Sequence, residues 1–134
     1  MYERILVVTD GSTAGERAVD HGIDLAETFD ADLHALFVVD ARPVGTDSPV
    51  GESMMEIEER AGEILDAVTD ETDQRVVTAF RHGRPHAAVR EYANACDADL
   101  VVYGDRGVAD PLGVEHQTVA ERVVRYAGRP VLTA

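Results

Sequence analysis

Lysine is absent from this 134-residue chain, whose twelve Lys and Arg positions are all arginine. A Walker-type phosphate loop is thereby excluded, because its lysine must reach the β- and γ-phosphates. Cysteine occurs once, at Cys96, so no internal disulfide can form and no Cys-x-x-Cys pair suggests a structural zinc or a dithiol redox site. Cys96 reads as a small apolar residue late in a helix. No apolar run reaches 18 residues, and the first residues lack the basic flank and apolar core of a signal peptide. Neither a membrane span nor export is expected; the expected compartment is the cytoplasm.

Positive charge is scarce overall, since 26 acidic residues outnumber the arginines and leave a net charge of −14. Such a field repels nucleic acid and anionic lipid, so binding to either is not expected. Adaptation to high salt, a halophilic habit, is the simplest reading of this acidic surface: carboxylates keep the chain soluble while salt screens their repulsion.

What is present points to one domain over residues 1–134. Hydrophobic residues make up 45 % of a chain of the commonest domain size, enough for one core with two faces. Arg4–Thr9 is an apolar run broken at Asp10-Gly11, the mark of a buried parallel strand. A helix follows, with Thr13 and Glu16 at capping-box spacing and Ala18, Gly22, Leu25, Ala26 and Phe29 on one face.

Leu33–Val39 reads as a second strand, ending at Asp40, and residues 41–53 as a surface loop. Met54, Ile57, Ala61, Ile64, Leu65 and Val68 line the next helix, opposite a solvated face of acids. Arg75–Phe80 reads as a third strand, and Gly83-Arg84-Pro85 opens a helix with proline where its missing N–H costs nothing. Asp99–Tyr103 is the fourth strand, Thr118–Ala127 the last helix and Pro130–Ala134 a short fifth strand. The alternation predicts a parallel sheet with helices on both faces, a three-layer α/β/α fold.

In such sheets ligands sit beyond the carboxyl ends of the strands where the winding reverses. Thr9-Asp10 and the loop after Tyr103 fall at that edge. Gly104 and Gly107 would let backbone amides approach an anion, and the helix near Thr118 would add unpaired N–H groups. An alternative stands beside it: Thr118 and Glu121 have capping-box spacing, and glycines in a loop of this length are ordinary turn residues.

Ile5–Ser12, His82–Pro85, Ala98–Gly107, Val119–Val123 and Arg129–Leu132 together resemble the universal stress protein family over nearly the whole chain. The resemblance implies a five-stranded, adenine nucleotide alpha hydrolase-like (Rossmann-like) fold, usually dimeric, in a family where some members bind ATP and others do not. The ATP-binding members carry G-x2-G-x9-G-[ST]; Gly104, Gly107 and Thr118 match it, whereas Gln117 stands in place of the third glycine.

By resemblance, Asp10 beside Thr9 would meet the ribose and the Val38 backbone the adenine edge. Tyr103 to Gly107 would meet the ribose and phosphates, and Thr118 with the Val119 amide the terminal phosphates. Gln117 occupies space where a phosphate oxygen would approach, or donates to it through its amide. Asp105, Asp110 and Glu115 add negative charge to the loop, partly opposed by Arg106 and His116. The implied ligand is AMP or another adenosine compound in preference to ATP, with Mg only alongside ATP.

The implied function is a dimeric, nucleotide-responsive sensor or regulator in stress response, paired through Val131–Ala134 and acting on an unidentified protein partner. The alternative is an interaction or protective scaffold that binds no nucleotide because Gln117 fills the phosphate site. Catalysis beyond slow ATP hydrolysis is not expected, since no general base is evident. A receiver-type phosphoacceptor would need an aspartate where the third strand ends in Arg81-His82, and Ser12 has no histidine partner. His82 and His86, with Gly83 and Pro85 between them, read as loop residues before metal ligands; His21 and His34 read as structural.

Overall fold

The computed structural model describes residues 2–40, 53–104 and 130–133. These form β1 (Arg4–Thr9), α1 (Thr13–Phe29), β2 (Asp32–Asp40), α2 (Met54–Asp70), β3 (Val76–Gly83), α3 (Pro85–Cys96), β4 (Leu100–Tyr103) and β5 (Val131–Thr133). Every pairing is parallel, in the order β3-β2-β1-β4-β5. This is the expected Rossmann-like, three-layer α/β/α architecture. The expected helix Thr118–Ala127 and most of the expected loop 41–53 lie outside the described residues.

Burial explains the continuous apolar runs. Ile5 and Val7 point, with Leu33, Ala35, Phe37 and Val102, into a core closed by α1 and α2. Leu6, Val8, Leu36, Val38 and Val101 point the other way, into a core closed by Val89 and Ala93 of α3. Both faces of the central strands are covered, so apolar residues need not alternate with polar ones.

That assignment of helices fixes the reversal of winding. The chain steps from β1 through α1 and α2 to β3 on one face. It then returns over the other face through α3 to β4, on the far side of β1. The carboxyl ends of β1 and β4 therefore flank the topological switch point.

Several local details depart from the pattern read in the sequence. The N-cap of α1 is Ser12, whose hydroxyl accepts from the Gly15 amide at 3.1 Å, one residue before the expected Thr13–Glu16 box. Gly15, not a glutamate, thus holds the third helical position, and no reciprocal box can form. Strand β3 runs on to Gly83, which puts His82 in a strand and not in a loop. Met54, expected on the buried face of α2, is exposed; burial there falls on Ala61, Leu65 and Val68. None of the helices in the described residues is long and apolar enough to cross a membrane.

Candidate functional site

At the end of β1 the chain turns under its own side chains. Thr9 is 2 % exposed, and its hydroxyl accepts from the Gly11 amide at 3.2 Å. Asp10 is exposed, and its carboxylate accepts from the Ser12 amide at 2.9 Å. Gly11 takes φ +84°, a backbone region where a side chain would be strained. With Ser12 capping Gly15, the amides of Gly11, Ser12 and Gly15 all have side-chain acceptors. Side chains of the same turn thus satisfy these three amides, one of them in the first turn of α1.

Gly104, where that loop begins, has a role the sequence reading did not assign. A β-carbon there would strike the carbonyl of Ala14 and stand 3.0 Å from the Gly15 nitrogen. A β-carbon on Gly15 would in turn lie 2.5 Å from the Thr9 hydroxyl and 3.1 Å from the Asp10 nitrogen. The two glycines let the end of β4, the first turn of α1 and the end of β1 close on one another. Packing alone is sufficient reason for glycine at 104, alongside any approach of its amide to a ligand.

Val38 is buried in the core beneath α3, so its side chain faces away from the crevice. Its backbone does not. The Asp32 amide donates to the Glu3 carbonyl and the Leu33 amide to the Arg75 carbonyl, so alternate residues of β2 address β1 and β3. Even-numbered Val38 therefore turns its peptide groups to the β1 side, one step past the last pair in the β1 ladder, Thr9–Phe37. Tyr103, half-buried, packs against the same core as the last residue of β4, paired with Val8 of β1. The described residues thus bring Thr9, Asp10, Val38, Tyr103 and Gly104 to one edge of the sheet. Gly107, Gln117, Thr118 and Val119 lie outside the described residues.

Two polar arrangements gave no signal in the sequence because their partners are far apart along the chain. His34 Nδ1 lies 3.0 Å from the Tyr92 hydroxyl, with the rings edge-on at 5.8 Å. Burial holds the His34 pKa below its ordinary 6.5, against the raising effect of Asp32, and burial likewise raises that of Tyr92. This contact ties β2 to α3, and its hydrogen-bond direction follows the imidazole tautomer, a structural role. Asp99 accepts from the amides of Glu3 at 2.7 Å and Arg4 at 3.0 Å, and those bonds lower its pKa. Among the described residues, no group of three or more His, Cys, Asp or Glu is placed to hold a metal ion.

Comparison with known proteins bears on this edge. A family model described as the universal stress protein family matches residues 1–134. A universal stress protein of Methanocaldococcus jannaschii is 31 % identical over 138 aligned residues, covering 98 % of this chain and 81 % of that protein. Among solved structures, the universal stress protein UspA from Lactobacillus plantarum superposes with a TM-score of 0.77 at 26 % identity, covering 98 % of this chain and 97 % of that one. A universal stress protein in complex with cAMP superposes with a TM-score of 0.72 at 25 % identity, covering 99 % and 96 %.

Proposed function

Because this chain belongs to the universal stress protein family, we propose that it binds an adenine nucleotide between the carboxyl ends of β1 and β4 and works as a dimeric sensor or regulator in stress response. The observation that carries this reading is the placement of Asp10 and of the Val38 peptide at the switch point. A carboxylate there suits a ribose hydroxyl, and the Val38 carbonyl, past the last pair of the β1–β2 ladder, suits the amino group of adenine. Asp10 and Val38 would serve these two parts of the ligand; the phosphates would rest on Gly107, Thr118 and Val119, with Mg accompanying only ATP. The cAMP held by a structural neighbour supports an adenosine ligand over a bare phosphate.

Gln117, which stands where the family motif has its third glycine, would favour a monophosphate if it crowds the terminal phosphates of ATP. The dimer would form through β5, a three-residue edge strand whose Leu132 is 39 % exposed.

Isothermal titration with AMP, cAMP, ADP and ATP at molar sodium chloride tests the reading. Saturable heat, weakened in Asp10→Asn and strengthened for ATP in Gln117→Gly, is the expected result. Absence of heat with all four ligands overturns it and leaves a scaffold that binds no nucleotide.

A further inference from the structure

The 17 residues from Gln74 to Arg90 contain no aspartate or glutamate, yet carry Arg75, Arg81, Arg84, Arg90, His82 and His86. In a chain of net charge −14 this is the one basic island of such length. It folds as β3 and the first half of α3, and an open groove of about 450 Å³ lies between them. On the α3 side Ala87 and Ala88, with their short side chains, and Tyr92 line it. Neither Arg81 nor Arg84 meets a carboxylate within 4 Å among the described residues.

Arg81 is held in place without being used up. Its guanidinium sits over the Tyr92 ring at 5.3 Å and donates one bond, at 2.9 Å, to the Phe80 carbonyl. A guanidinium has five N–H donors in a planar fork, so four remain for a ligand. Tyr92 is itself fixed by His34. Arg84, which begins α3, borders the same groove. Glu91 borders it too and opposes them with one negative charge.

We propose that this groove, two strands away from β1, is an anion site that takes a small dianion bearing phosphate or carboxylate groups, gripped by Arg81 and Arg84. Two observations favour a small ligand over an acidic protein. First, the Phe80 carbonyl belongs to an even-numbered residue of β3 and so points away from β2; Arg81 covers it, which obstructs strand addition by an extended peptide. Second, repulsion scales with the product of charges. A polyacidic partner would meet the whole field of a chain at −14, whereas a dianion gains the same two guanidinium contacts against little of it. Bidentate pairing of arginine with phosphate or carboxylate supplies the geometry.

The site does not depend on the nucleotide reading, and its test separates the two. The full chain, labelled with ¹⁵N in buffer free of phosphate, is titrated with inorganic phosphate and, separately, with succinate. Saturable shifts centred on Arg81, Arg84 and Tyr92 are expected, tenfold or more weaker in the Arg81→Gln/Arg84→Gln double variant and severalfold tighter in Glu91→Gln. Asp10→Asn leaves them unchanged. Phosphate alone identifies a phosphate site, succinate alone a carboxylate site, and both a site that reads charge; each supports the proposal. No saturation with either anion, or shifts indifferent to the arginine variants, overturns it. Both arginines are exposed, so circular dichroism verifies that the variants fold.

Discussion

Replacing Gly104 with alanine puts the closure of β4 on α1 to a direct test. The new β-carbon meets the Ala14 carbonyl and the Gly15 nitrogen, backbone atoms of a first turn already fixed by Ser12. No side-chain rotation can relieve that contact, so α1 or β4 must shift. Overpacking costs about 1–3 kcal/mol, and a backbone neighbour places this case near the upper figure. Unfolding entropy of about 2.1 cal/mol/K per residue amounts to about 0.28 kcal/mol/K over 134 residues, so a 3 kcal/mol loss lowers Tm by about 10 °C. Thermal unfolding at molar salt, followed by circular dichroism, measures it. Gly62→Ala is the control: a β-carbon there has nothing within 4 Å. It should gain about 0.5–1 kcal/mol from better helix propensity. A Gly104→Ala protein that melts with the parent refutes the packing argument. If that same variant gives none of the nucleotide-binding heat proposed for the parent, the glycine serves ligand approach instead.

Two further predictions concern the His34–Tyr92 contact and the Asp99 carboxylate. Tyr92→Phe removes the hydroxyl from His34 and should cost about 1 kcal/mol, or about 3–4 °C in Tm. Because the folded imidazole has a pKa lowered from 6.5, its contribution is present above that value and is lost as pH falls; an NMR titration of His34 at or above 6.5 in the native state would contradict this. Asp99→Asn should destabilise the chain at neutral pH. Folding lowers the carboxyl's pKa from 3.8, so its contribution is present above 3.8 and lost as pH drops through the folded value. The gap in Tm between parent and variant should therefore narrow in acid; a constant gap would show that the charge is irrelevant.

The order of strands and helices was legible because each apolar run is bounded by turn residues and each crossover is long enough for a helix. Strand boundaries moved by a few residues, as at β3, where pairing with Val39 and Asp40 of β2 carries His82 and Gly83 into the sheet. The cap of α1 was misread by one residue because Ser12 and Thr13 are both competent caps, and only the geometry of the Asp10 turn chooses between them. At the candidate site, the position of Asp10 followed from the strand-end rule, but the reason for Gly104 did not. That reason is a collision with a residue 90 positions away, which no local spacing encodes. The basic island was written plainly in the sequence as a gap in the acids. Its significance emerged only when β3 and α3 folded it around a groove.

The sheet's two rims differ in kind. At β3 an outward carbonyl is already bonded to Arg81, whereas β5 offers three residues without comparable cover among the described residues. A sheet with two welcoming rims can add copies end on end and grow into a ribbon. With the β3 rim guarded, copies that joined by their β5 rims about a two-fold axis would present no second open rim among the described residues, and growth would end at a pair.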